Sequence, residues 1–248
     1  MTLIAAWITP EFRTVASDSK CYYRNNISIT CQKVFANSNL AIGLYGVLSK
    51  DNRDKVNSVL INNPQIGIDE FIKQLKLALP EFFIGDSEIN HKDKIVTHIV
   101  IVPKSGDSEI YCFQRKKIPI RISLTEYKRI YQKGLAEDLF FSEQLLPNDE
   151  IDFLHQKNLT KQFEKSKQLT EFDYRKITHK SIKKLFIDFY STVYYESELN
   201  KGIIGWDKIY LAVSLKNENW RQIEFNPIPF ANYKEQRAID DMKQIFGF

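Results

Sequence analysis

The 248-residue sequence contains no long apolar run, and no stretch approaches the roughly 20 apolar residues that a membrane-spanning helix needs. The opening apolar stretch, Leu3–Ile8, is short, follows no basic residues and meets Pro10 almost at once, which is unlike a secretory signal peptide. We therefore expect a cytoplasmic protein with no membrane partner. In such a protein the second residue of the gene product can be the first residue of the working chain.

Cysteine is scarce, since the chain has only Cys21, Cys31 and Cys112, and no two of them have CxxC spacing. With four scattered histidines they form no zinc signature, and we expect His91 and His98 to be surface or hydrogen-bonded side chains. Unclustered cysteines in a cytoplasmic protein predict reduced thiols. Cys21 and Cys31 are then expected to be small apolar residues. The sequence predicts no metal and no organic cofactor.

Neither sign of charge is in large excess, with 35 basic against 31 acidic residues and a net charge of +4. Two short basic runs, at 115–117 and 183–184, lie between apolar residues and predict solvated faces. The sequence thus lacks the concentrated basic surface typical of nucleic-acid binding, and we expect no nucleic-acid partner. No GxGxxG motif follows a strand, which argues against a Rossmann domain.

The sequence does contain ample material for a buried core, because 43% of its residues are hydrophobic and it has 17 Phe and 12 Tyr. It has no internal repeat and no linker rich in Pro, Gly or Ser. We therefore expect a single domain over residues 1–248.

The hydrophobic pattern predicts strands, two helices, strands, helices, strands and a final helix. Apolar runs and alternation predict strands at 3–8, 14–16, 22–29 (a hairpin turning at Asn25-Asn26), 34–35, 40–45, 95–102, 109–114, 208–215 and 221–225. Helical spacing predicts helices at 49–62, 68–79, 177–197 and 233–246, with short helices and loops between 125 and 175. Such segregated runs favour an α+β or layered fold over a βαβ winding.

Three residues of the first strands, Thr2, Asp18 and Lys33, could act together in catalysis. A threonine hydroxyl is a weak nucleophile until a base removes its proton. Removal of Met1 would give Thr2 a free α-amine with a pKa of about 7.7–8.0, so that the base and the nucleophile belong to one residue. A nearby lysine ammonium would lower the pKa of this amine, and a carboxylate would orient the lysine.

Four segments resemble the proteasome β-subunit family and its bacterial proteasome-like relatives, which are N-terminal-nucleophile hydrolases. The segments are Thr2-Leu3-Ile4-Ala5-Ala6, Val15-Ala16-Ser17-Asp18-Ser19, Gln32-Lys33-Val34-Phe35 and Leu40-Ala41-Ile42-Gly43-Leu44-Tyr45-Gly46. The resemblance implies that Thr2 is the nucleophile and that Asp18 and Lys33 are the family's aspartate and lysine. It also implies that the backbone N–H of Gly46 helps form an oxyanion hole.

The same resemblance implies an α+β fold with four αββα layers and assembly of identical chains into a ring or an open helix. It weakens in the second half of the chain. The family's Gly-Ser-Gly turn has no counterpart between Ser142 and Tyr190, and its Asp-x-x-Ser arrangement reads Asn200-Lys201-Gly202-Ile203.

Three hypotheses for function therefore stay open. The first is a threonine-type peptidase or amidohydrolase that cleaves peptide or amide bonds. The second is another acyl-transfer enzyme on the same fold, such as an amidase or a transpeptidase-like ligase. The third is a catalytically silent scaffold, in which Asp18 caps a turn, Lys33 is its structural ion-pair partner and Gly46 merely begins a helix. The sequence does not identify an unfoldase partner.

Overall fold

The computed structural model describes residues 3–22, 28–46, 49–80, 96–114, 120–126, 138–142, 149–196, 208–229, 232–235, 237–239 and 242. Its strands are β1 Ile4–Ile8, β2 Phe12–Asp18, β3 Lys20–Tyr22, β4 Ser28–Thr30, β5 Val34–Ala36, β6 Leu40–Gly46, β7 Val96–Pro103, β8 Glu109–Gln114, β9 Ile120–Ser123, β10 Asp138–Ser142, β11 Ile209–Leu215 and β12 Arg221–Phe225. Its main helices are α1 Lys50–Asn62, α2 Ile68–Ala78, α3 Asp149–Leu169 and α4 His179–Glu196.

The strands form two five-stranded sheets, and neighbouring strands are antiparallel throughout both. The first sheet has the order β10-β1-β2-β11-β12, and the second has the order β5-β6-β7-β8-β9. A separate hairpin, β3-β4, connects the two sheets along the chain. The prediction of an α+β fold is therefore confirmed, since the described strands of both sheets pair antiparallel and not by the parallel crossovers of a βαβ winding.

Among the described residues, buried apolar side chains form three clusters. One packs the first sheet against α3 and α4, as in the edge-to-face contact between Trp7 and Phe163, whose ring centroids are 4.9 Å apart. A second cluster combines residues of both sheets, and a third packs the second sheet against α1 and α2. Burial of apolar surface on both faces of each sheet explains why the strands read as nearly continuous apolar runs.

Gly43 of β6 lies where the second sheet packs closely against the first. A Cβ atom at this residue would lie 2.9 Å from Ile4 Cγ2 and 2.9 Å from Val15 Cγ1. Real Cβ atoms do not tolerate such contacts, so β6 needs glycine here in order to pack against β1 and β2.

Most predicted elements are confirmed, but the region between 115 and 175 is not. Strands β9 and β10 were missed, and one helix of 21 residues, α3, takes the place of short helices and loops at 149–169, whereas 127–137 and 143–148 lie outside the described residues. In α3, Lys157, Asn158 and Lys161 are exposed, while Leu159 and Phe163 turn into the core, so the apolar stripe is too sparse to reveal a helix. The turn at Asn25-Asn26 lies outside the described residues, and the final helix is described only at 232–235, 237–239 and 242.

Cys31 corrects the expectation about thiols, because it is disulfide-bonded. The residue directly follows β4, whose backbone pairs with β3. The expectation of reduced thiols rested on cysteine number and compartment, and it ignored the close approach that a hairpin imposes on distant positions. Among the helices that the structure describes, none has the length and apolar character needed to cross a bilayer.

Candidate functional site

Three of the four predicted site residues lie at one end of the paired sheets. Asp18 is the last residue of β2, Lys33 directly precedes β5, and Gly46 is the last residue of β6. The register of β1 and β2, with Ile4 opposite Ser17, brings Leu3 beside Asp18. Thr2 lies outside the described residues, and Leu3 is therefore the described residue nearest to it in the chain.

Asp18 and Lys33 form a buried ion pair. The distance between Lys33 Nζ and Asp18 Oδ2 is 3.2 Å, and the side chains are 3% and 0% exposed. The other carboxylate oxygen, Oδ1, accepts a hydrogen bond of 2.8 Å from the backbone N–H of Leu3. Both carboxylate oxygens are thus engaged, which is the geometry that makes a buried charge tolerable.

The backbone of Leu3 is held on both sides. Its N–H donates to Asp18, and its carbonyl oxygen accepts from the backbone N–H of Asp18 at 3.3 Å and from the Tyr190 hydroxyl at 3.1 Å. These hydrogen bonds hold the backbone of Leu3 to β2 and to α4. The structure therefore has a rigid anchor next to the predicted nucleophile.

Gly46 ends β6 with φ +100°, a left-handed conformation that suits glycine. It is exposed, and its register partner in β7 is Thr97. Lys33 pairs with the same strand, since its carbonyl accepts a 2.8 Å hydrogen bond from the N–H of Leu44. Gly46 therefore lies at the Lys33 end of the second sheet, and α1 begins four residues after it.

Several polar residues near this end of the sheets were not predicted as part of the site. Tyr190 is one of them. Ser17 is another: its side chain is fully buried, and its hydroxyl has no hydrogen-bond partner among the described residues. Ser17 alternates with Val15 along β2, so the strand period places its side chain on the face toward the second sheet. Strand periodicity could have indicated this position, although the sequence does not reveal the missing partner.

His98 also contradicts its prediction, because it is neither on the surface nor fully hydrogen-bonded. It is 1% exposed and stacks on Tyr45 with 5.3 Å between ring centroids, and its Nδ1 has no partner in the described part of the chain. Burial lowers the pKa of His98 to about 4. The alternation of β7 places it on the same face as Val100, which the sequence pattern could have shown. His91 lies outside the described residues.

A cleft of about 250 Å³ is lined by residues that neighbour Lys33 in the chain and by residues of β11 and β12, but by neither member of the ion pair. Its walls include Gln32, which precedes Lys33 in the chain. They also include Tyr210, which follows Ile209, the residue opposite Asp18 in the sheet. The remaining wall residues are Val34, Leu211, Gln222, Ile223 and Glu224. In the parts of the chain that are described, no three His, Cys, Asp or Glu side chains gather as a metal site.

The fold matches solved structures of Anbu, a bacterial proteasome-like protein. A Gly-1 mutant of Anbu from Hyphomicrobium sp. strain MC1 superposes with a TM-score of 0.52 at 10% identity, covering 100% of this chain and 98% of that one. Anbu from Pseudomonas aeruginosa, solved as a helical assembly, gives a TM-score of 0.51 at 9% identity, with 98% and 95% covered. No protein-family model and no curated protein sequence matches the chain. At such low identity the likeness shows the fold alone: this chain has an Anbu-like fold.

Proposed function

We propose that the chain is a threonine-type N-terminal-nucleophile amidohydrolase that cleaves peptide or amide bonds, with Thr2 as the nucleophile after removal of Met1. The observation that carries this proposal is the buried pair of Lys33 and Asp18, anchored to the backbone of Leu3. A buried ammonium next to the start of β1 is a suitable source of positive charge for a nucleophile at residue 2.

In the proposed reaction, the Thr2 hydroxyl attacks the carbonyl carbon of the substrate and gives its proton to the α-amine of the same residue. The oxyanion that forms is stabilised by the backbone N–H of Gly46. The protonated α-amine then gives its proton to the leaving amine as the amide bond breaks, which leaves an ester on Thr2. Water then attacks the ester carbonyl and gives a proton to the α-amine. That proton passes to the Thr2 oxygen as its bond to the acyl carbon breaks, which releases the carboxylic acid and restores the hydroxyl. Lys33 lowers the pKa of the α-amine throughout, and Asp18 orients Lys33.

We also propose a four-layer αββα arrangement in a single domain. The three apolar clusters support it, since one joins the two sheets and each of the others joins a sheet to a helix pair. An experimental structure in which both helix pairs lie on one sheet would contradict this arrangement.

Self-association in the cytoplasm is the third part of the proposal. The helical assembly of the Pseudomonas aeruginosa Anbu supports it, as do the large exposed side chains of Ile61 on α1 and Leu77 on α2, which are 59% and 73% exposed. We expect a homo-oligomer at micromolar concentration by light scattering, and a strictly monomeric protein would contradict this expectation.

The catalytically silent scaffold is the second candidate, and a specific observation favours it. Asp18 binds the backbone N–H of Leu3 as well as Lys33, so the ion pair also fastens β1 to β2 and would be retained without catalysis. Labelling of Thr2 separates the two candidates, because a scaffold needs no reactive hydroxyl.

The decisive experiment treats natively expressed protein with a β-lactone or epoxyketone and measures the intact mass. We expect a mass without Met1 and one adduct per chain, mapped to residue 2. Thr2→Ala should abolish the adduct. Thr170→Ala should not, because the Thr170 hydroxyl, just after α3, donates to the carbonyl of Ser166. Retained Met1, or no adduct on parent protein lacking Met1, would contradict the hydrolase and favour the scaffold. Digestion of a peptide library would then separate a peptidase from an amidase.

A further inference from the structure

The hydroxyl of Tyr190 is a polar group within the apolar cluster between α4 and the first sheet. Tyr190 belongs to α4, and its ring packs against Phe186 and Phe189, with ring centroids 6.5 and 5.4 Å away. The side chain is 1% exposed. A phenylalanine would supply the same apolar area, so the hydroxyl needs a separate explanation.

That hydroxyl donates a 3.1 Å hydrogen bond to the carbonyl oxygen of Leu3, which is 187 residues away in the chain. The Leu3 carbonyl would have a hydrogen-bond donor without Tyr190, because the backbone N–H of Asp18 also donates to it at 3.3 Å. The bond therefore does more than satisfy a buried acceptor. It attaches the start of β1 to a helix that packs on the outer face of the first sheet.

The hydroxyl and the Asp18 carboxylate hold the two peptide groups that flank Leu3. Asp18 Oδ1 binds the N–H of the peptide joining residues 2 and 3, and Tyr190 binds the carbonyl of the peptide joining residues 3 and 4. With both planes held, the φ and ψ angles of Leu3 are fixed. Burial raises the pKa of Tyr190 well above its ordinary value, and the Asp18 charge adds to this, so the hydroxyl stays protonated and can donate.

We infer that Tyr190 is a positioning residue for the nucleophile at residue 2, acting through the Leu3 carbonyl from the helix α4. This inference rests on the function proposed above. Nucleophilic attack requires reacting atoms within a narrow range of distance and angle, and small misplacements at the nucleophile reduce the rate steeply. The Tyr190 hydroxyl thereby couples the orientation of the outer helix to the orientation of Thr2.

The test compares Tyr190→Phe with Tyr195→Phe. Tyr195 is a matched control, because it lies on the same helix and its hydroxyl also donates to a backbone carbonyl, that of Ile228 at 2.9 Å. For each protein the rate of epoxyketone labelling is measured across electrophile concentrations. Hydrogen exchange of the Leu3 amide is measured in parallel, and this readout does not depend on reactivity.

For Tyr190→Phe we expect the maximal labelling rate to fall about tenfold with an unchanged half-saturating electrophile concentration. The Leu3 amide should also exchange faster. Tyr195→Phe should match the parent protein in both measurements. Parent-like labelling and exchange in Tyr190→Phe would overturn the inference, and so would equal losses in both variants. If the parent protein is not labelled, the proposed function fails, while faster Leu3 exchange in Tyr190→Phe alone still supports the backbone anchor.

A measurement on the unchanged protein covers the case in which Tyr190→Phe does not fold. In protein with labelled tyrosine, the Tyr190 hydroxyl proton should exchange slowly with water and show a nuclear Overhauser effect to Leu3. A rapidly exchanging hydroxyl without that contact would overturn the inference.

Discussion

Lys33 and Asp18 pair across two sheets, since Asp18 ends β2 of the first sheet and Lys33 leads into β5 of the second. Both side chains are almost completely removed from water, at 3% and 0% exposure. In such a place a charge is tolerable only while its partner is present. The pair therefore fixes how the edges of the two sheets meet, whatever chemistry it supports.

A double-mutant cycle should show this dependence. Lys33→Met leaves the buried carboxylate without this cation and should lower the free energy of unfolding by about 3–5 kcal/mol. Adding Asp18→Asn removes the uncompensated charge while its amide oxygen still accepts from Leu3, so the double variant should recover most of the loss. Urea unfolding measures both changes. Additive losses in the double variant would contradict a directly coupled pair.

Gly43 should be intolerant of any side chain. Gly43→Ala places a methyl group 2.9 Å from Ile4 and Val15, and we expect a loss of about 1–3 kcal/mol in the free energy of unfolding. Gly67→Ala is the control, because a Cβ there has no atom within 4 Å. Its cost should be that of a weaker helix N-cap, about 1 kcal/mol or less. Equal stability of Gly43→Ala and the parent in thermal and urea unfolding would show that the sheets can move apart.

Acid should destabilise the protein through His98. The folded pKa is about 4 against an ordinary 6.5, so between these values the unfolded chain binds a proton that the folded chain does not. The contribution of His98 to the free energy of unfolding is then fully present above pH 6.5 and is lost as the pH falls toward 4. Between pH 6.5 and 5 this single group should remove about 2 kcal/mol from the free energy of unfolding.

His98→Phe keeps a ring stacked on Tyr45 and removes the titration. Its stability should therefore fall less than that of the parent protein over the same pH range, as measured by urea unfolding at several pH values. Identical pH dependence in the two proteins would show that His98 is solvated in solution.

The sequence predicted the first half of this fold well because its strands and helices carry strong and distinct periods. Helix α2, for example, has Phe71, Ile72 and Leu75 on one buried face, and its limits were nearly correct. The failures have physical causes. Strand β10 is short and is stabilised by pairing with β1, a contact between residues 130 to 138 positions apart that no local pattern encodes.

Among the site residues, too, local patterns revealed some features and long-range packing determined the others. Asp18 and Lys33 were identified from a resemblance in the first strands, whereas their contact depends on how the two sheets pack together, which no strand pattern encodes. Tyr190 falls within the predicted helix at 177–197, and its ring belongs to the buried apolar cluster between that helix and the first sheet. Its hydroxyl reaches Leu3 only through the packing of α4 on the first sheet, so local periodicity could not reveal it.

The last prediction separates the hydrolase from the scaffold without the ambiguity of an unstable variant. Asp18→Asn combined with Lys33→Met should fold, for the reason given above, but it lacks the ammonium that stabilises the neutral α-amine and the developing alkoxide of Thr2. We expect epoxyketone labelling of Thr2 to slow by a factor of about 100 or more. Lys33→Arg should recover little of this rate, since the guanidinium group is wider than an ammonium and cannot take its place.

Lys73→Met is the matched control for this experiment, because it removes a lysine whose side chain is 71% exposed on α2. It should be labelled at the parent rate. Circular dichroism and urea unfolding establish that each variant is folded before its labelling rate is compared. If the folded double variant reacts as fast as the parent, the ion pair is purely structural, and the catalytically silent scaffold becomes the better account of Asp18 and Lys33.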